Sequence, residues 1–256
     1  MTRPPLAGRS VVVTRTRSQA SELADRLQGL GAAVVELPVI AVEDPEDGGR
    51  ELVRAAHRLA SGAYQWVVLT SSNAASRLLA ELGDRTVAPS VRWAAVGAAT
   101  ARTLAEAGRS VDLMPEVSMA VALAGAFPTA SPGGPGGTVL YPRAETVSGS
   151  LAAGLRAKGW LVDEVVAYRT VAGHPGPEAV AAAGRADAVA FTSSSTVTRA
   201  LELLGPGGLP PVVVTIGPVT SGTARSAGLT VAVEANPHTI EGLVEAVEAA
   251  FGAGGR

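Results

Sequence analysis

The segment YQWVVLTSSNAASRLLAELG, residues 64–83, comes back in the same pattern as ADAVAFTSSSTVTRALELLG at residues 186–205. In each copy a short run rich in Val and Ala ends in a Thr-Ser-Ser turn, and an apolar pattern of helical period follows. Each copy therefore reads as a buried strand feeding a helix. Ser71 answers Ser193, 122 residues later. A second pair follows: VRWAAVGAATARTLAEAG (Val91–Gly108) matches PVVVTIGPVTSGTARSAG (Pro211–Gly228), with Gly97 against Gly217. A third precedes: GRSVVVTRTRSQASELADRLQGLGAAVVE resembles GGTVLYPRAETVSGSLAAGLRAKGWLVDE, with Arg15 against Arg143. One strand-and-helix set written twice predicts two similar lobes, and two lobes predict a cleft in which function resides.

Working outward, runs rich in Val and Ile alternate with stretches rich in Ala, Leu, Arg and Glu, the signature of βαβ units and parallel sheets. Strands are expected at residues 10–14, 33–35, 66–70, 92–96, 111–113, 138–141, 161–166, 188–192, 212–216 and 230–233, five in each half. Most end in a small polar or Gly-containing turn: TRTRSQ, TSSN, VGAAT, PRAETVS, TSSS and IGPVT. Ligands of open α/β sheets bind outside the carboxyl ends of the strands, so these turns are the first candidates for a site. Ser18, Ser72, Ser148 and Ser194 stand where helix N-caps belong, and Asn73 is an alternative cap. In each Ser-Ser pair one hydroxyl suffices for capping and leaves the other for a ligand.

Two stretches break the rhythm. Glu36–Pro45 (ELPVIAVEDP) and Glu164–Gly173 (EVVAYRTVAG) run on from the second strand of corresponding units. Paired as a short ladder, they would form a hinge crossed twice by the chain. One lobe would then hold the first unit and the last third of the sequence, and the Gly/Pro-rich Ser131–Gly137 would be a surface linker inside the other lobe. A sequential split near Ser131 satisfies the repeat equally well.

Composition narrows the chemistry. The 256 residues carry 21 Lys and Arg against 23 Asp and Glu, so no whole-molecule field invites nucleic acid or an acidic membrane. The absence of cysteine removes disulfides, thiolate nucleophiles and Cys-ligated metals. His57, His174 and His238 are scattered without metal-ligand spacing, so no metal site is expected. No apolar run approaches the ~20 residues of a membrane span, and the start lacks a signal-like h-region, so a soluble cytoplasmic protein is expected. Neither Walker nor dinucleotide glycine patterns occur, and no nucleophile elbow is present. What remains is a set of mild donors. Thr14, Arg15 and Arg143 follow strand ends, the arginines being suited to bidentate carboxylate binding. Ser71, Ser72, Asn73, Ser193 and Ser194 line the Thr-Ser turns. Gly97-x-x-Thr100 and Gly217-Pro218-x-Thr220 allow close approach of backbone at a helix start. Tyr168, one of only 3 tyrosines, lies in the second hinge stretch, where a phenol facing the cleft can donate a proton. Arg169 beside it is expected to pack structurally.

VVVTRTRSQ, LTSSNA, VGAAT, VVAYRT, FTSSST, IGPVT and the closing ANPHTIEGLVEAV, in this order along essentially the whole chain, resemble the uroporphyrinogen-III synthase family. The resemblance implies two flavodoxin-like parallel-sheet lobes joined by a two-stranded β-ladder. Lobe 1 would comprise residues 1–36 and 173–256 and lobe 2 residues 44–164, with hinge strands at 37–43 and 165–172. It implies closure of the linear tetrapyrrole hydroxymethylbilane, which carries eight carboxylates, into uroporphyrinogen III, with inversion of the last pyrrole ring and loss of water. No cofactor or metal is implied. Carried over by position, the family's hinge tyrosine is Tyr168, which would assist departure of the hydroxyl, and its turn threonines are Thr100 and Thr220. Asn73 keeps the amide of its turn whereas Ser195 replaces it in the second copy, and Pro218 is answered by Ala98. A monomer, with transient contact to the enzyme that supplies the bilane, completes the expectation. Two other classes fit the same architecture: a two-lobed cytoplasmic binding or sensor protein, and a nucleotide-sugar transferase, although no phosphate or acidic metal motif supports the latter.

Overall fold

The computed structural model describes residues 3–14, 17–130, 137–147 and 151–252, and the backbone alone for 17–21. Arg15, Ser148 and all but Gly137 of the expected linker lie outside the described residues. In chain order the elements are β1 (Ser10–Val13), α1 (Arg17–Gly29), β2 (Ala33–Glu36), β3 (Ile40–Glu43), α2 (Arg50–Ala60), β4 (Trp66–Leu69), α3 (Ser72–Leu82), β5 (Arg92–Ala95), α4 (Ala98–Glu106) and α5 (Ala120–Ala126). They continue with β6 (Thr138–Ala144), α6 (Leu151–Ala157), β7 (Leu161–Ala172), α7 (Pro177–Ala183), β8 (Ala188–Phe191), α8 (Ser194–Leu204), β9 (Val212–Thr215), α9 (Pro218–Ser226), β10 (Val231–Glu234) and α10 (Ile240–Gly252).

The chain divides into two compact units, Met1–Ala41 with Val171–Arg256, and Val42–Thr170. The division falls inside β3 and β7, which are neighbours at the edge of the second sheet. The first sheet has the order β10-β9-β8-β1-β2, all parallel. Numbered within its own unit this is the 2-1-3-4-5 order of flavodoxin-like folds. The second sheet has the order β3-β7-β6-β4-β5, and β7, β6, β4 and β5 are parallel. Because β6 and β7 repeat β1 and β2 in sequence, while β4 and β5 repeat β8 and β9, the two sheets are the same ladder entered at different points along the chain. The expected strand at 111–113 shrinks to one bridge, Ala94 with Leu113. Only Val111 and Leu113 are apolar there, and Pro115 follows, which has no amide hydrogen to continue a ladder.

Each sheet is covered on both faces, which is why its strands are almost continuously apolar rather than alternating. Alternate residues still part company. In β1, Val11 and Val13 join a core with Leu23, Leu27, Leu243 and Val247, whereas Val12 joins Phe191, Val197 and Ala224 on the other face. In β4, Val67 and Leu69 pack with Leu59, Leu78 and Leu104, whereas Trp66 and Val68 pack with Leu123, Phe127 and Leu155. The helices supply these contacts through the 3.6-residue period: in α2 the buried residues are Leu52, Ala55, Ala56 and Leu59, a single stripe. Truncating one of these leucines to alanine costs about 2–5 kcal/mol through lost transfer energy and the cavity left behind. Alanine on the facing helix surfaces keeps helix and sheet close.

Candidate active site

The period-2 geometry of β4 continues past its end and sets up a polar cluster at the carboxyl edge of the second sheet. Thr70 points to the Trp66 and Val68 face and Ser71 to the Val67 and Leu69 face. Tyr168, only 8% exposed and packed in the core that contains Leu69, donates from its phenol to Ser71 Oγ at 3.1 Å. Ser71 Oγ also accepts the Ala74 amide at 3.2 Å, which makes Ser71 the N-cap of α3. Its own proton is left to donate. On the opposite face Tyr141 of β6, 4% exposed, is hydrogen-bonded by the Thr70 side chain. Burial pushes the Tyr141 phenol up; the Thr70 bond and the Arg143 charge oppose this in part. Two phenols and two hydroxyls thus meet at the end of one strand.

The caps fall one residue earlier than expected in both copies. Ser71 and Ser193 are extended, with φ of −148° and −163°, and accept from Ala74 and Thr196, so Ser72 and Ser194 are the first helical residues instead. A cap must combine non-helical backbone with a side chain reaching the amide three residues on, and either serine of a pair looks equal in sequence. Ser72 and Asn73 are half-buried. Ser194 is engaged: Thr223 donates to its hydroxyl at 2.7 Å and it donates to the Val219 carbonyl at 3.4 Å, tying α8 to α9. Ser193 Oγ contacts Ser195 Oγ at 3.0 Å.

Several expected donors sit differently from a free surface ligand. Thr14 is wholly buried and donates to the Ala190 carbonyl, bracing β1 on β8. Thr100 and Thr220 are each 4% exposed and lie on the inward faces of α4 and α9, so their turns present backbone amides rather than these hydroxyls. Arg143 donates to Glu164 at 3.0 Å and to the carbonyls of Ala144 and Glu145 at 2.8 Å; Glu164 also accepts from Arg156 at 2.8 Å. Arg169 pairs with Glu43 at 3.0 Å.

The turn glycines are extended, Gly97 with φ −147° and Gly217 with φ 172°, conformations open to any residue. Their neighbours matter differently: a Cβ on Gly97 would lie 3.4 Å from Ser118 Oγ, an ordinary contact, whereas one on Gly217 would lie 3.2 Å from the His238 ring, which would have to give by a few tenths of an ångström. Pro218, exposed, occupies the first turn of α9, where no amide hydrogen is needed. Exposed apolar side chains also follow strand ends in sequence: Met114, Val117 and Met119 come after Leu113, Val147 after β6 and Val219 after β9.

Other polar features lie elsewhere. At the amino end of the second sheet Tyr64 donates to Asp163 and Arg58 holds both, at 2.8 Å each. Burial, with the Asp163 carboxylate, pushes the Tyr64 phenol up to about 12. Two open depressions in the same unit, about 570 and 470 Å³, are lined by Asp44, Gly48 and Arg77 and by neither Tyr168 nor Gly97. Among the described residues no group of three or more His, Cys, Asp or Glu is placed to hold a metal ion, and no helix is long and apolar enough to cross a membrane.

Tyr141 and Thr70 escaped the reading of the sequence because TVLYPRA looks like plain strand core. The repeat carried the missing signal: at the spacing that pairs Arg15 with Arg143, Tyr141 answers Val13 and Tyr168 answers Ile40. Both phenols belong to one copy.

Two parallel-dominated sheets, with hydroxyls, phenols and helix-start amides at the carboxyl ends of their strands, define a two-unit α/β protein of flavodoxin-like strand order. The family model for uroporphyrinogen-III synthase HemD matches residues 21–245, and the chain belongs to that family. A uroporphyrinogen-III synthase of Synechococcus elongatus is 31% identical over 97% of both chains. In fold, the chain is similar to a mutant uroporphyrinogen III synthase of Thermus thermophilus (TM-score 0.65, 19% identity, 96% of this chain and 100% of that one). It is also similar to the Helicobacter pylori uroporphyrinogen-III synthetase (TM-score 0.62, 17% identity, 94% and 99%).

Proposed function

We propose that this protein is a cofactor-independent lyase that closes hydroxymethylbilane to uroporphyrinogen III in the cytoplasm. The 31% identity to a uroporphyrinogen-III synthase over 97% of both chains carries the reading. Loss of the substrate's hydroxyl gives an azafulvene stabilised by the pyrrole nitrogen, so modest acid assistance suffices. That electrophile closes spontaneously to the type I isomer, and the enzyme's work is to orient it for attack at the substituted carbon of the last ring, through a spiro intermediate.

Tyr168 is the proton donor in this reading. Its phenol is held by Ser71 Oγ, which is itself fixed by the α3 cap, so the group is positioned without a charged partner. Amides at the Gly97 and Gly217 turns, with Ser72, Asn73, Ser193 and Ser194, bind carboxylates and fix their register, while Pro218, which has no donor, shapes the start of α9 against the substrate. Arg15 adds a charged grip. Arg143, already shared with Glu164, contributes through its field more than through a free fork. The exposed Met114, Val117, Met119 and Val219 suit the apolar faces of pyrrole rings, so edge polarity and apolar patches together match an amphipathic tetrapyrrole. A transient encounter with the enzyme releasing the bilane would limit its spontaneous closure. The two units act as lobes of one enzyme in this scheme, with β3 and β7 as the connection.

The test is to generate hydroxymethylbilane in the presence of the purified protein, oxidise the products and resolve the isomers. Isomer III is expected; isomer I alone would overturn the reading. A binding or sensor protein would give that second result while still taking up the tetrapyrrole.

A further inference from the structure

The close approach of His238 to Gly217 singles out a residue that the functional reading leaves unused. The ring packs against the turn so closely that a Cβ on Gly217 would lie 3.2 Å from both Cγ and Nδ1. Nδ1 lies 2.8 Å from the Ala235 carbonyl. A carbonyl only accepts, so Nδ1 carries the hydrogen, and in the neutral ring Nε2 is then an acceptor. The residue is exposed, and Nε2 is the ring's remaining polar atom. Its counterpart, 120 residues earlier as Gly97 is to Gly217, is Ser118, whose Oγ takes the same place beside Gly97. Each unit therefore sets one polar side chain beside a turn glycine: His238, after β10, beside the Gly217 turn that follows β9, and Ser118, after the Leu113 bridge, beside the Gly97 turn that follows β5. Serine offers a donor and an acceptor there; the fixed imidazole tautomer offers an acceptor.

The neighbouring groups show what such an acceptor is for. Thr220 is buried, and the turn otherwise presents amide donors that suit carboxylates. A tetrapyrrole carries N–H donors as well, one on each pyrrole, and these need an acceptor. We propose that His238 is a positioning residue that accepts a hydrogen bond from a pyrrole N–H of the substrate through Nε2, while Ala235 holds the ring by Nδ1–H. The inference rests on the proposed reaction and assigns one substrate atom type to one side chain. Gly217 belongs to the same device, since a larger residue displaces the ring.

The experiment uses the full chain in mildly alkaline buffer, comparing wild type with His238→Ala and His238→Gln. Initial rates of isomer III formation, thermal melting, and ¹⁵N spectra of the imidazole during titration with uroporphyrinogen III are recorded. His238→Ala is expected to raise KM roughly threefold to tenfold, the size of one neutral hydrogen bond, with kcat within about twofold. His238→Gln, whose amide oxygen reaches the position of Nε2, is expected to recover most of the loss. The wild-type Nε2 resonance is expected to move on titration. Unchanged KM in His238→Ala, a lowered melting temperature with KM and kcat falling together, or a silent Nε2 resonance would each overturn the assignment. Should the wild type make only isomer I, the reaction falls first, and the imidazole titration alone then decides whether His238 meets a tetrapyrrole.

Discussion

Tyr168→Phe removes a single oxygen, and the structure sets the size of each consequence. The phenol donates one hydrogen bond, 3.1 Å long, to Ser71 Oγ, and that oxygen keeps the Ala74 amide as a donor, so no acceptor is stranded. The stability cost is therefore that of one net neutral hydrogen bond, about 0.5–1.5 kcal/mol, and the ring still fills its place in the core. For a chain of this size each kcal/mol moves Tm by roughly 2–4 °C. The kinetic cost is larger because the departing hydroxyl gathers negative charge. A hydrogen bond to a charged group contributes about 1.5–3 kcal/mol, and 1.4 kcal/mol is a factor of ten, so kcat is expected to fall roughly 10- to 100-fold with KM little changed. Coupled production of the bilane, quenching at short times and chromatographic separation of oxidised isomers measure this, with melting curves as the control. An unchanged kcat would remove Tyr168 from the chemistry. Complete loss of isomer III in a folded protein would refute the argument from the other side, since orientation by the rest of the site would then count for nothing.

Three further outcomes follow from particular contacts. Ser71→Ala, which deletes the α3 cap and the Tyr168 acceptor together, is expected to cost about 1 kcal/mol in urea unfolding, whereas Ser72→Ala stays within about 0.5 kcal/mol; equal costs would mean the cap is misassigned. Gly242→Ala places a Cβ 2.0 Å from the Pro237 carbonyl and is expected to destabilise by about 1–3 kcal/mol or more. Gly222→Ala, with nothing within 4 Å inside α9, is expected to stabilise by about 0.5–1 kcal/mol, and scanning calorimetry of the two variants reads the contrast. The Ser10 amide, and then its hydroxyl, hold the Asp187 carboxyl below its usual 3.8. A lowered folded-state pKa stabilises above the unfolded value and the gain is lost as pH falls through the folded one, so Asp187→Asn is expected to flatten the acid limb of the stability curve below about pH 4 while also weakening the protein near neutrality. An unaltered acid limb would show that the carboxylate is no better held than in the unfolded chain.

The legible part of the fold is the part written in periodicity. Continuous apolar runs such as WVVL and AVAF need two covered faces, and helices carrying Leu52, Ala55, Ala56 and Leu59 on one stripe provide the cover. The expected strand at 111–113 was less well founded: two apolar residues ahead of a proline sustain one bridge and no more. The caps at Ser71 and Ser193 were ambiguous by one residue because hydroxyl chemistry is identical along a Ser-Ser pair, and only the backbone dihedral separates them. Among the site residues, Tyr168 stood out by rarity, while Tyr141 hid in a core-like run and His238 in the absence of any metal-ligand spacing.

By itself the sequence determined that one strand-turn-helix theme is used twice, that the strands are buried on both sides, and that donors cluster in the turns after them. These are properties of neighbours along the chain, where hydrophobic period and turn chemistry act within a few residues. Tertiary structure alone decided which of those donors remain open to a ligand. Packing buried Thr14, Thr100 and Thr220, and ion pairing engaged Arg143 with Glu164. Strand pairing brought Tyr168 to Ser71 across 97 residues, and the His238 ring came to rest against Gly217. A hydroxyl in a turn has the same chemistry wherever it stands, but burial and its nearest partner fix what it can do, and both are set by chain segments far away in sequence.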